Sequence, residues 1–191
     1  MAKRIGVLAV QGAFAEHEAM LSSIGAECRE LRSAADLEQK PDALVLPGGE
    51  STVQRKLLME SGMLAPIKSW IEEGMPVLAT CAGLILLAEH LSNDERTCFK
   101  TLPVTVRRNA YGRQLGSFTT TGTWNGLADV PMTFIRAPAI TQVSPGVDVL
   151  SSFEGQPSSV RWRNILAFAW HPELTADRRA YAVFQDMCAR R

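Results

Sequence analysis

Residues 76–87 read Pro76-Val77-Leu78-Ala79-Thr80-Cys81-Ala82-Gly83-Leu84-Ile85-Leu86-Leu87. A short apolar strand, Val77–Thr80, stops at a cysteine among small residues, and the apolar run beyond it predicts a helix over 82–91. A strand that turns through small residues into a helix forms an elbow able to hold a nucleophile at the helix start. There the helix N-terminus favours thiolate over thiol, and first-turn N–H groups, such as that of Ala82, face negative charge developing on a bound carbonyl. The competing reading of Cys81 is a packed core thiol, because free cysteine is commonly buried.

Working outward from the elbow, strands and helices alternate. Residues 5–10 form a continuous apolar strand; Phe14, Glu18 and Leu21, with Met20 and Ile24, form a helical stripe; residues 28–31 and 43–46 read as the second and third strands. A helix from about Thr52 turns Leu57, Leu58 and Met59 inward, and another after Leu64 carries Ile67, Trp70 and Ile71 at helical spacing and ends near Gly74. This alternation predicts an α/β fold, a doubly wound and mostly parallel sheet with helices on both faces, whose catalytic groups gather beyond the carboxyl ends of the strands. From 104 to 170 the pattern changes to short strands with turn residues and prolines, which predicts antiparallel edge additions. A closing helix is expected over 176–189 with Thr175 as its N-cap. The 191 residues suit one domain, 1–191.

Two distant segments supply chemistry to the elbow. In Trp170-His171-Pro172-Glu173-Leu174 the His and Glu are two apart, and in extended chain such residues point the same way, so Glu173 can orient the His171 ring toward a thiol. In Leu44-Val45-Leu46-Pro47-Gly48-Gly49-Glu50-Ser51-Thr52 a strand breaks at paired glycines, which let backbone N–H groups approach closely, as an oxyanion hole requires. Gly49 and Ala82 are the expected oxyanion donors.

These residues resemble the triad-type, class I glutamine amidotransferases, and more narrowly the glutaminase subunit family of pyridoxal 5′-phosphate synthase. The likeness runs through Gly6-Val7-Leu8-Ala9-Val10-Gln11-Gly12-Ala13-Phe14, residues 47–52, residues 80–87, Val106-Arg107-Arg108-Asn109-Ala110-Tyr111-Gly112-Arg113-Gln114, Phe134-Ile135-Arg136-Ala137-Pro138 and residues 171–174, in order over nearly the whole chain. It departs at Gly116, where an acidic residue usually precedes Ser-Phe, and in 92–102, which lacks the expected glycine turn and reads as a variable surface connection. The resemblance implies hydrolysis of L-glutamine through a Cys81 thioester, with His171 as general base and acid and Glu173 as its orienting carboxylate. It implies a glutamine pocket of Gly49, Glu50, Ser51, Arg108, Ile135 and Arg136. It also implies no cofactor and no metal, and a partner that consumes the ammonia: a (β/α)₈-barrel synthase subunit, a dodecameric core in the family. Within the chain the loop Gln11-Gly12-Ala13 is the expected docking and switching element.

Composition bounds the remaining classes. Twenty basic and twenty acidic residues cancel, which suggests neither nucleic acid nor a membrane surface as a bulk partner. Apolar runs fall well short of the ~20 residues of a membrane span, the start resembles no signal peptide, and the expected location is cytoplasmic. The four cysteines, at 28, 81, 98 and 188, lack the paired short spacing of zinc sites, and His17 and His90 read as ordinary surface or packing residues. Two other functions stay open on residues alone. A different thiol hydrolase would share Cys81 without needing the Arg108 and Arg136 pair, and a non-catalytic regulatory subunit would not need an intact triad.

Overall fold

The computed structural model describes residues 3–110 and 116–190. The elements run β1 Arg4–Leu8, α1 Phe14–Ser22, β2 Glu27–Leu31, β3 Ala43–Leu46, α2 Ser51–Glu60, α3 Leu64–Glu72, β4 Val77–Thr80, α4 Ala82–Leu87 and β5 Ala88–Leu91. They continue with β6 Leu102–Arg107, β7 Ser117–Trp124, β8 Leu127–Ile135, β9 Ala139–Val143, β10 Asp148–Phe153, β11 Gln156–Trp162, β12 Ile165–Phe168 and α5 Arg179–Ala189. Among the described residues one seven-stranded sheet has the order β10-β11-β12-β4-β3-β1-β2. Its pairs are parallel from β12 through to β2 and antiparallel at the β10–β11–β12 edge.

The central strands are buried on both sides, so each reads as a continuous apolar run while its alternate side chains feed different cores. Leu44, Leu46, Val77, Ala79, Ile165 and Ala167 pack with Leu58, Ile67, Trp70 and Leu84 from α2, α3 and α4. Ala43, Val45, Leu78, Leu166 and Phe168 pack on the other face with Met20 and Leu21 of α1 and Tyr181 and Phe184 of α5. This is the doubly wound arrangement expected from the strand and helix alternation. It brings the ends of β3, β4 and β12 side by side.

Several local expectations are corrected. The helix after Cys81 stops at Leu87, because residues 88–91 pair with β6 in a separate β5-β6-β9 sheet and the Leu86 and Leu87 carbonyls accept from the N–H groups of Phe99 and Thr101. The segment 104–170 supplies more than an edge. β6 and β9 close the α2–α4 face through Val104, Val106 and Ile140, and the β7–β8 hairpin closes the opposite face through Trp124, Met132 and Phe134. Helix α5 begins at Arg179, and Thr175 instead ends a 3₁₀ turn, Pro172–Leu174, whose Pro172 carbonyl accepts from its hydroxyl at 3.0 Å. Met59 is exposed, and the inward face of α1 is led by His17 in place of Glu18.

The layers meet closely at Gly83. A Cβ there would lie 2.1 Å from the Leu46 carbonyl oxygen, a backbone atom that cannot swing away. Gly83→Ala is therefore expected to lower the free energy of unfolding by about 1–3 kcal/mol, read as a lower urea midpoint at unchanged slope. A wild-type midpoint would show that α4 and β3 can separate at no cost.

Candidate active site

β4 ends in the elbow. Cys81 has φ 47° and ψ −98°, a backbone conformation rarely adopted by a non-glycine residue, and its N–H donates to the Phe168 carbonyl at 2.8 Å. Ala82, the first residue of α4, is fully buried, and its N–H belongs to the helix's unpaired first turn. Directly after β12, His171 and Glu173 are both buried, and His171 Nδ1 lies 2.6 Å from Glu173 Oε1. The buried Nε2 of His171 has no hydrogen-bond partner among the described residues, and Cys81 Sγ makes a long 3.9 Å contact to the Ile135 carbonyl. The three groups are brought together, with His171 interacting with both Cys81 and Glu173.

Electrostatics couple them. Burial works against a charged imidazole, yet the interactions with the Cys81 sulfur and the Glu173 carboxylate outweigh it and raise His171 to about 10. Burial also penalises the Glu173 charge, but His17 and His171 override it and hold that carboxyl well below the usual range. The other cysteines behave differently. Burial pushes Cys28 and Cys188 up to about 11 and Cys98 up to about 12, as expected for packing thiols, and Cys98 lies against the core although its segment read as surface.

The elbow opens into a cavity of about 520 Å³. Gly49, Glu50, Ser51, Arg108, Ile135 and Arg136 line it together with Cys81 and His171. Of the predicted site residues, Glu173 and Ala82 are absent from the wall: Glu173 stands behind His171 and Ala82 starts the buried helix. Gly48 packs on the imidazole so closely that a Cβ would lie 2.4 Å from His171 Cε1. The loop Gln11–Ala13 is laced to the glycine pair: Ala13 N–H donates to the Gly48 carbonyl at 3.0 Å and Glu50 N–H to Gln11 Oε1 at 2.8 Å.

Two pocket residues are engaged with each other. Glu50 caps α2 by accepting from the N–H groups of Thr52 and Val53, and it also pairs with Arg108 at 2.9 Å, while the other Arg108 terminal nitrogen pairs with Asp94. The segment 92–102 thus supports the cavity wall through Asp94. Arg136, at φ 41°, has no carboxylate partner among the described residues. Tyr111 to Leu115, part of the motif around Arg113 and of the departure before Ser117, lie outside the described residues.

Sequence reasoning passed over four contributors: Thr80, His17, Tyr181 and Asp94. Thr80 Oγ1 is fully buried, accepts from Gly48 N–H at 2.9 Å and lies 3.2 Å from Glu173 Oε1. Its signal was a lone hydroxyl ending an otherwise apolar strand. His17, read as an ordinary surface or packing residue, is instead buried behind Glu173, and its spacing of three and four from Met20 and Leu21 was the available clue.

A thiol elbow, a histidine–carboxylate pair and a glycine-lined cavity on a doubly wound sheet define the class I glutamine amidotransferase type. The SNO glutamine amidotransferase family model matches residues 7–190. The chain belongs to that family. A protein of Desulfitobacterium hafniense (strain Y51) named pyridoxal 5′-phosphate synthase subunit PdxT is 56% identical over 96% of this chain and 92% of its own. A Bifidobacterium longum protein of the same name is 48% identical over 95% and 99%. A solved structure described as a glutamine amidotransferase superposes with a TM-score of 0.91 at 39% identity, covering 97% of this chain and 98% of the other. PurLQS from Thermotoga maritima, 12% identical with a TM-score of 0.72 over 97% of this chain and 99% of the other, shares the fold. No helix among the described residues is long and apolar enough to cross a membrane.

The two shifts set a pH signature. Glu173, depressed below its ordinary value of 4.5, contributes stability that is present above pH 4.5 and lost on acidification. His171, raised from 6.5 to about 10, contributes stability that is complete below pH 6.5 and lost as pH rises toward 10. Glu173→Gln should flatten both flanks of the curve of unfolding free energy against pH, measured by urea titration. Unchanged flanks would refute the coupling.

Proposed function

We propose that the chain is the glutaminase subunit of a pyridoxal 5′-phosphate synthase, releasing ammonia from L-glutamine for vitamin B6 biosynthesis. One observation carries the chemical reading: His171 Nδ1 sits 2.6 Å from Glu173 while the same ring interacts with Cys81 and lines the same cavity. The side-chain amide of glutamine lies over Cys81, whose thiolate attacks the carbonyl carbon to give a tetrahedral intermediate. His171 protonates the departing nitrogen, so ammonia leaves and a thioester remains, and it then takes a proton from the water that releases glutamate. A protonated ring near neutral pH suits the first of these steps, because His171 is raised to about 10. Glu173 holds the ring and stabilises its cationic form.

The oxyanion donors in this reading are the N–H groups of Gly49 and Ala82. Arg136 takes the substrate carboxylate, since it lines the cavity with no carboxylate partner among the described residues. Arg108, already held by Glu50 and Asp94, shapes the wall. Ile135 and Ser51 complete the pocket. The chain 1–191 acts as one cytoplasmic glutaminase domain without metal or cofactor, and its partner is a (β/α)₈-barrel synthase subunit that forms a dodecameric core. The Gln11-Gly12-Ala13 loop is the docking and switching element in this reading, which its bonds to Gly48 and Glu50 support.

Ammonia release from glutamine by the wild-type chain should rise when a cognate synthase subunit is added, and Cys81→Ala should reduce it by more than about 10³-fold in either condition. Turnover that survives Cys81→Ala would overturn the mechanism; turnover indifferent to the synthase would overturn the switching loop.

A further inference from the structure

A buried polar chain runs behind the site, away from the cavity. Tyr181 OH lies 2.7 Å from His17 Nδ1, His17 Nε2 lies 3.1 Å from Thr80 Oγ1, and Thr80 Oγ1 lies 3.2 Å from Glu173 Oε1. All four residues are essentially buried, with His17, Thr80 and Tyr181 showing no exposed surface. The residues come from four separate elements, α1, β4, the turn after β12 and α5, so folding alone assembles them.

The donors can be assigned by satisfying every contact at once. Glu173 is ionised and only accepts, so the Thr80 hydroxyl proton must point to it. Thr80 Oγ1 then accepts from Gly48 N–H at 2.9 Å and from His17 Nε2–H. That tautomer leaves Nδ1 as an acceptor for the Tyr181 hydroxyl, which burial and the nearby Glu173 keep protonated. The reverse tautomer would aim a lone pair of Nε2 at Glu173 Oε1, 3.5 Å away, and would leave the carboxylate without the threonine proton. With a neutral His17, every proton in the chain points toward the triad carboxylate.

Thr80 also sits at a junction. The same oxygen that serves Glu173 holds the N–H of Gly48, the residue that packs on the His171 ring and precedes the oxyanion candidate Gly49. We propose that Thr80 is a positioning residue that locks the glycine loop and the Glu173–His171 pair into one register, with His17 and Tyr181 fixing the direction of its proton. This inference rests on the glutaminase reading above.

The test is Thr80→Val, Thr80→Ser and Tyr181→Phe in the full chain with the synthase subunit, each checked for folding by its thermal transition. Thr80→Val should lower kcat for glutamine hydrolysis about 10- to 100-fold, the loss expected for a hydrogen bond to a charged group, with KM changed less than about threefold. Thr80→Ser should stay within about threefold of wild type, and Tyr181→Phe should lose about 3- to 10-fold. A second readout, the rate of Cys81 alkylation by iodoacetamide without glutamine or synthase, should fall in the same order. A folded Thr80→Val with wild-type kcat, a loss confined to KM, or a serine variant as impaired as valine would overturn the proposal. If Thr80→Val does not fold, unchanged kcat and alkylation in Tyr181→Phe overturn it, and the graded losses above uphold it. Wild-type chain that alkylates at Cys81 yet hydrolyses no glutamine would instead overturn the glutaminase reading, and the alkylation order would still decide the role of Thr80.

Discussion

The site depends on one strained residue. A non-glycine backbone at φ 47° and ψ −98° costs on the order of 1–3 kcal/mol and persists only where its surroundings leave no alternative. Around Cys81 they do not. The Phe168 carbonyl takes its N–H, β4 is clamped between β3 and β12, and Gly83 lets α4 settle directly on the Leu46 carbonyl. The thiol is thereby lifted out of the sheet at the point where the helix begins, and the rest of the site is arranged about it.

A second constraint is the ionised Glu173 in a dry interior. Removing a carboxylate from water is expensive unless it is paired and hydrogen-bonded. Here it meets His171 at 2.6 Å, the Thr80 hydroxyl at 3.2 Å and His17 at 3.5 Å. The same contacts orient the imidazole and favour its charged form, so the device that makes the buried charge tolerable also fixes the ring beside Cys81. Thr80 of β4 and His17 of α1 converge on that carboxylate beside His171, and Tyr181 ties α5 to the same chain of contacts.

Much of this was readable in the chain because it is local. The elbow at 80–83, the His-x-Glu spacing at 171–173 and the Gly pair at 48–49 each announce themselves through a few adjacent residues with unusual backbone or chemical demands. Met59 and Glu18 were misplaced by helical spacing alone, since periodicity marks a stripe but not its width or which neighbour covers it. The helix after Cys81 was read too long because Ala88 to Leu91 retain helical propensity, and strand pairing with β6 overrides it. Asp94 was hidden in a polar stretch whose purpose, holding Arg108, appears only once residues 14 apart are brought together.

The sequence by itself determined the doubly wound architecture, the identity of the thiol, imidazole and carboxylate, and the glycine loop beside them, because strand–helix alternation and short motifs are properties of neighbouring residues. Only the tertiary structure decided that Arg108 is tied to two carboxylates, that β5, β6 and β9 and the β7–β8 hairpin form two separate closing sheets, and that His17, Thr80 and Tyr181 stand in line behind Glu173. His17 and Tyr181 are 164 residues apart. No local pattern encodes a hydrogen bond of that separation; it exists because α1 and α5 pack side by side on one face of the sheet and bury both polar atoms where each is the other's partner.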